Sequence, residues 1–316
     1  MRVAIYGVWH VHAAQYTEEA LKYGEVVGVY EADEQRRKEF CEKFGLKEFC
    51  TPEELLKSDC EGVIVCSATD THTEDIIKIA NAKKNIFTEK VLALTDEDCD
   101  KIEEAINRNG VNFVISLFQK YGSGQRTVKK VVDSGELGKI NYLRFRNSHS
   151  GSSADWLPKH FYDKKECGGG AMIDLGAHGM YLIDWILGMP DEYRSTFTNA
   201  CENEGALLKN SDNVEDNAVT VMSYKDGCIA INETGFVSYC FPLVLEVSGD
   251  NGYVRMEWDK VVKATSLTDK KPVEVEAEPA LEKPIVQFLT GKVEEGCGIK
   301  EAKNLTHMMV EAYKNI

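Results

Sequence analysis

Apolar and polar positions alternate in two styles along this chain. Residues 2–6, "RVAIY", form a short apolar run closed by Gly7. Helical spacing fits Val11 to Tyr23, and "EVVGVYE" (25–31) reads as a second buried strand. Residues 33–45 are helical, with Phe40 and Phe44 one turn apart and Gly45 as a stop. Thr51 and Pro52 supply an N-cap and a first helical residue. The strand "EGVIVCS" (61–67), a helix over 73–82 and the strand "NIFTE" (85–89) follow. Thr95 caps a helix to about Asn107, and "GVNFVIS" (110–116) is a further strand. Continuous apolar strands that alternate with amphipathic helices predict a parallel sheet covered on both faces. Right-handed crossovers then favour a doubly wound topology.

The style changes near residue 118. A helix fits 124–134, "NYLRFRNSHS" is a strand, and 151–170 is irregular, ending in three glycines. One strong helix follows, then mostly strands from 192 to 277, with hairpin turns expected at Asp226-Gly227 and Asn251-Gly252. Two helices close the chain. The expected class is α/β: a dinucleotide-binding domain over 1–118, then an α+β domain over 119–316 with a mainly antiparallel, open sheet.

Composition narrows the function. A length of 316 residues suits two domains with separate cores. A net charge of −15 repels a phosphate backbone or an anionic membrane, so neither nucleic acid nor membrane is an expected partner. No apolar run approaches the ~20 residues of a membrane span, and no leader pattern is visible, which makes the cytoplasm the expectation. The ten cysteines show no C-x-x-C pair and read as reduced structural thiols.

The chemistry starts at the first turn, "GVWHVH". A dinucleotide fold uses three glycines there, for the tight turn, the approach of the pyrophosphate and helix packing. Only Gly7 is present, so Val8, Trp9 and His10 would line the turn and the Trp9 ring must point away from the phosphates. Glu31 ends the second strand where an acid receives the ribose hydroxyls. No arginine adjoins it, which favours NAD; Arg36 and Arg37, about a helical turn on, leave NADP open. His10 and His12 also form an H-x-H pair of the kind that binds metal, with His72 as a further imidazole at a strand end. That reading lacks acids at later strand ends, and no metal is expected.

Lys90 directly follows a buried strand, at the sheet edge where ligands bind in this fold class; an ammonium there can stabilise developing negative charge. The most informative stretch is "GGGAMIDLGAHGMYLIDWILGMP" (168–190). In a regular α-helix Asp174, His178 and Tyr181 fall within ~60° of one another. Met180, Ile183 and Leu187 point elsewhere, to a core. An imidazole beside a carboxylate suits a general base; a satisfied buried pair is the bland alternative.

Together these segments resemble the Gfo/Idh/MocA family, the group of glucose–fructose oxidoreductase and inositol dehydrogenase. "TEKVLALT" is similar to its E-K-P strand end, "IDLGAH" to its D-x-G-x-H helix, and "VIVCSATDTH" to its T-P-N-x-x-H loop. "VEDNAVTVMSYKDGCIAINETGF" resembles its sheet strands. Departures are Val91 for the family proline, Ala68 and Thr69 in the loop, and the missing glycines. The resemblance implies a Rossmann domain, NAD or NADP as cofactor, and oxidation of a secondary alcohol on a sugar or cyclitol. It implies Lys90, Asp174 and His178 as catalytic residues, with Lys90 also contacting substrate and nicotinamide. Gly7, Glu31, Ser67, Thr69, His72 and Glu89 would serve the cofactor. Lys120, Trp156, His160 and Tyr181 are expected to shape the substrate pocket. A homodimer or homotetramer through the C-terminal sheet is a further implication. The alternative is a non-catalytic NAD(P)-binding sensor, since the family also contains a regulatory protein of this fold.

Overall fold

The computed structural model describes residues 1–201, 214–240, 242–293 and 296–316. By internal packing the chain divides into two units. One is Met1–Leu117 with Glu282–Thr306; the other is Phe118–Leu281 with His307–Ile316.

The first unit runs β1 (Arg2–Tyr6), α1 (Ala13–Tyr23), β2 (Glu25–Tyr30), α2 (Glu34–Phe44), β3 (Glu48–Phe49) and α3 (Pro52–Leu56). It continues with β4 (Gly62–Val65), α4 (His72–Asn81), β5 (Asn85–Thr88), α5 (Asp96–Asn109) and β6 (Phe113–Ile115). Its six strands are all parallel, in the order β3-β2-β1-β4-β5-β6. The order reverses between β1 and β4, and such a switch opens a crevice at the carboxyl ends of the strands. Val63, Ile64 and Val65 are wholly buried, as a strand covered on both faces requires. Helix ends follow local chemistry. Asp33, Thr51 and Thr95 accept N–H groups at the starts of α2, α3 and α5, and Gly45 and Gly110 close α2 and α5 in the left-handed conformation.

The second unit runs α6 (Ser123–Asp133), β7 (Ile140–Ser148), α7 (Lys164–Cys167), α8 (Ala177–Leu187), β8 (Glu192–Thr198) and β9 (Asn217–Ser223). It continues with β10 (Ile229–Gly235), β11 (Val244–Gly249), β12 (Gly252–Glu257), β13 (Lys260–Thr265) and β14 (Val273–Glu274). These eight strands form one sheet, β14-β13-β12-β11-β7-β10-β9-β8. Only the β7–β10 pair is parallel. Leu143, Phe145, Ala230, Leu245, Val247, Val254 and Met256 face the core of this unit, and α6 and α8 pack on that side. Parts of the predicted strand region, 202–213 and Phe241, lie outside the described residues.

Three expectations change. The second hairpin loop is Asp250-Asn251, because Gly252 already pairs with Gly249. The single helix of 168–190 begins with a π-helical turn, Met172–Gly176, ahead of α8. Sequence alone keeps everything after 118 in a second domain, whereas Glu282–Thr306 belongs to the first unit. That segment holds α9 (Pro284–Thr290) and the first half of α10 (Ile299–Lys314). Ile285, Val286, Phe288 and Leu289 are all buried, and α9 packs on α1 and β6. The Phe288 ring lies 5.8 Å from that of Phe87. A helix this apolar cannot remain in water, and the first sheet supplies its cover.

Candidate functional site

The carboxyl ends of β1, β2, β4 and β5 carry the predicted residues of the first unit. Gly7 has φ +78°, and a Cβ there would stand 2.5 Å from the Ser67 backbone. The turn after β1 therefore presses on the end of β4, and only glycine permits it. Three N–H groups of the turn are engaged inside the fold. Gly7 donates to the Tyr30 carbonyl (2.7 Å), Val8 to Glu31 Oε2 (2.8 Å) and His10 to the Cys66 carbonyl (3.1 Å). Trp9 is buried, 7% exposed. Glu31 also receives the Asp33 N–H at 3.0 Å, and its carbonyl takes Arg37 Nη1 at 2.8 Å. Arg36 Nη1 lies 3.8 Å from Glu31 Oε1.

Behind the turn is a buried network around Glu89. Its Oε1 meets His12 Nδ1 at 2.8 Å and accepts the Tyr16 hydroxyl, while Oε2 accepts the Lys90 N–H at 2.9 Å. Tyr16 Oη also pairs with Ser116 Oγ at 2.6 Å. Burial pushes the Glu89 carboxyl up, but His10, His12 and Lys90 outweigh it and hold the group well below the usual range. His10, His12 and Glu89 bring ligand-capable atoms within 4.8 Å of one another. His10 Nδ1 accepts the His12 N–H at 3.2 Å. The three residues read as a hydrogen-bonded network. Lys90 is 5% exposed, and a cis peptide joins it to Val91.

The strand-end loop after β4 is equally internal. His72 is 1% exposed, with Nδ1 3.0 Å from the Val91 carbonyl and Nε2 3.1 Å from that of Ser67. It ties the segment after Lys90 to the end of β4. Ser67 Oγ donates to Asp75 Oδ2 at 2.9 Å, and Thr69 is buried in a 3-10 turn.

In the second unit Asp174 lies in the π turn and His178 in the first turn of α8. Polar groups of this stretch are met from β10: Asn232 Nδ2 donates to the Gly176 carbonyl (2.8 Å) and Thr234 Oγ1 to that of Ala171 (3.2 Å). His178 is buried, and its Nδ1 lies 2.8 Å from Tyr181 Oη. Tyr181 Oη in turn accepts the Gln119 N–H at 3.2 Å. Tyr181 is thus the partner of the imidazole at Nδ1. The Phe118 ring meets His178 edge-on at 5.0 Å. The tautomer that donates Nδ1–H to Tyr181 carries its lone pair on Nε2.

The remaining pocket residues differ in setting. The Lys120 ammonium stands 5.7 Å from the centre of the Trp185 ring. Trp156 is 54% exposed, and its ring lies 4.6 Å from that of His149. His160 sits in a 3-10 turn beside Phe161, at 5.1 Å between rings. Sequence reasoning missed His149, which stacks on Phe236 at 5.0 Å. Burial lowers its imidazole below the ordinary range, and the Asp174 carboxylate partly offsets this. It also missed Phe118 and Glu215. All ten cysteines are free, and seven are buried.

Comparison with known proteins agrees with this architecture. The family model "Oxidoreductase family, NAD-binding Rossmann fold" matches residues 1–117, and the Gfo/Idh/MocA C-terminal domain matches 125–255. The chain is similar to myo-inositol 2-dehydrogenase of Thermotoga maritima, 28% identical over 280 residues, 86% of this chain and 79% of that protein. Its fold matches aldose-aldose oxidoreductase from Caulobacter crescentus, TM-score 0.82 at 17% identity, covering 100% of this chain and 97% of that one. It also matches the WlbA dehydrogenase from Bordetella pertussis, solved with NADH and UDP-GlcNAcA, TM-score 0.78 at 16% identity, covering 99% and 95%. No helix among the described residues is long and apolar enough to cross a membrane. The chain belongs to the Gfo/Idh/MocA family of oxidoreductases, with an NAD-binding Rossmann domain at its N-terminus.

Proposed function

We propose that the protein is an NAD-dependent dehydrogenase acting on a secondary alcohol of a cyclitol or sugar, with Lys90, Asp174 and His178 as its catalytic residues. The observation that carries this reading is the buried His178 imidazole, hydrogen-bonded at Nδ1 to Tyr181. The similarity to a myo-inositol 2-dehydrogenase supports the substrate class.

The residues fit the cofactor. Glu31 directly follows β2, near the reversal of strand order, where the ribose hydroxyls need an acceptor. Gly7, Val8, Trp9 and His10 would form the phosphate turn, with Ser67 and Thr69 beside it. His72 and Glu89 support that site from within, since both are buried and bonded inside the fold. When bound, NAD supplies the hydride acceptor. The Lys90 ammonium donates to the substrate oxygen and stabilises its developing negative charge. His178 removes the hydroxyl proton, and the Asp174 carboxylate balances the charge of the imidazolium. Lys120, Trp156 and His160 contribute to the sugar pocket.

Glu31→Ala is expected to raise the KM for NAD roughly 10- to 100-fold, the loss of a charge-assisted hydrogen-bond pair. The KM for NADP should change less, because Arg36 remains to meet a 2′-phosphate. Initial rates with both cofactors check this.

The function itself is tested by following NADH formation over a panel of inositols and aldoses. Turnover of at least one cyclitol or sugar is the expected result. Tight NADH binding with no polyol turned over would favour the sensor reading. The outer face of the second sheet carries Arg144, Arg146, Glu233, Glu246 and Arg255 in opposite-charge pairs. A homodimer or homotetramer through this face is part of the proposal, and light scattering at micromolar protein would contradict it by returning the monomer mass.

A further inference from the structure

We propose that Glu215 is a positioning residue: from the approach to β9, and together with Tyr313, it holds the three consecutive N–H groups that open the helix carrying Asp174 and His178. The proposal deepens the dehydrogenase reading and rests on it for its kinetic consequences. Both Glu215 carboxylate oxygens lie 3.1 Å from the Gly170 N, and Oε1 lies 2.9 Å from the Met172 N. Between them, the Ala171 N–H donates to the Glu215 backbone carbonyl at 2.9 Å. Tyr313 Oη, from α10, donates to Oε1 at 2.7 Å and itself accepts the Gly170 N–H at 3.2 Å.

A helix start normally finds its acceptor in the residue just before it. Here the acceptor comes from 43 to 45 residues further along the chain. The triglycine exists for this contact. A Cβ at Gly169 would stand 1.9 Å from Tyr313 Oη, and one at Gly170 would stand 2.0 Å from the Glu215 carbonyl. The next link reaches the catalytic pair directly, because the Asp174 N–H donates to the Gly170 carbonyl at 3.1 Å. A shift of Gly170 therefore shifts Asp174 and the turn that leads to His178.

A carboxylate is a costly way to hold a helix end in a dry interior. Glu215 is 8% exposed, and burial raises its carboxyl, against the pull of Tyr313 and the N–H groups. Glutamine fills the same space but turns one acceptor into a donor facing the Gly170 N–H. It tests the clamp with little change of volume.

The experiment compares wild type, Glu215→Gln and Tyr313→Phe as full chains. The readouts are steady-state kinetics, thermal unfolding, and the titration of the His178 ring protons by NMR. Glu215→Gln is expected to fold, to lose about 10- to 100-fold in kcat and to keep its KM for NAD, as for a small misplacement of catalytic groups. Its His178 titration midpoint should move, with Tyr313→Phe moving the same way by less. A folded Glu215→Gln with wild-type kcat and an unchanged His178 titration overturns the proposal. So does a loss of kcat that matches the loss of folded protein. If Glu215→Gln does not fold, Tyr313→Phe decides by the same titration. If the wild type turns over no polyol, the dehydrogenase reading fails, while the His178 titration still tests the clamp alone.

Discussion

His178→Asn lowers kcat about 10²- to 10⁴-fold, the range for a lost general base, and leaves NAD affinity close to wild type. The imidazole is 4% exposed and held by Tyr181 and the Phe118 ring, a fixed position that suits the proton transfer proposed for it. Oxidation needs the neutral ring. In the wild type the rate should therefore fall as the pH drops through the titration of the base. The variant should lose that limb of the profile as well as its height. Asparagine keeps a polar group near Tyr181 Oη, which limits the structural damage. Retention of full kcat on the true substrate would remove His178 from the mechanism. An unchanged pH profile at lower rate would make its role structural.

Lys90→Met is expected to cost about 10² to 10³ in kcat, as for loss of a donor aimed at developing oxyanion charge. Methionine keeps most of the buried stem, and the Lys90 backbone N–H to Glu89 Oε2 is unaffected by the change. The loss should appear mainly in kcat, with NADH binding retained in a fluorescence titration. If Lys90 served only to hold the cofactor, the dissociation constant for NADH would rise and kcat would not fall. The double variant with His178→Asn should lose much less than the product of the single effects, since in the proposed mechanism the two groups serve one proton and one oxygen.

Much of the first sheet was readable because its signals are local. The apolar run of β4, the caps at Thr51 and Thr95 and the stops at Gly45 and Gly110 each lie within a few residues of what they determine. The return of α9 to the first unit was not readable. An apolar helix announces that it must be covered, but its sequence does not say by which sheet. The π turn was hidden for a similar reason. Met172–Gly176 has an ordinary helical pattern, and the donors that meet the carbonyls of Gly176 and of Ala171 just before it, Asn232 and Thr234, lie far along the chain on β10. Spacing put Tyr181 near His178, but only coordinates assign it Nδ1. Glu215 sits in "VEDNAV", where it reads as the polar start of a strand, and nothing local points to the triglycine. His149 reads as the end of β7, and its neighbour Phe236 comes from after β10.

The central claim is that Lys90 and His178 act in the step that moves hydride from the alcohol carbon. The direct measurement is single-turnover NADH formation by rapid mixing, with protiated and deuterated forms of a cyclitol that the wild type oxidises. The account predicts that Lys90→Met and His178→Asn each slow this burst by about a hundredfold or more and show a full primary isotope effect on it. A burst at the wild-type rate in either variant would contradict it.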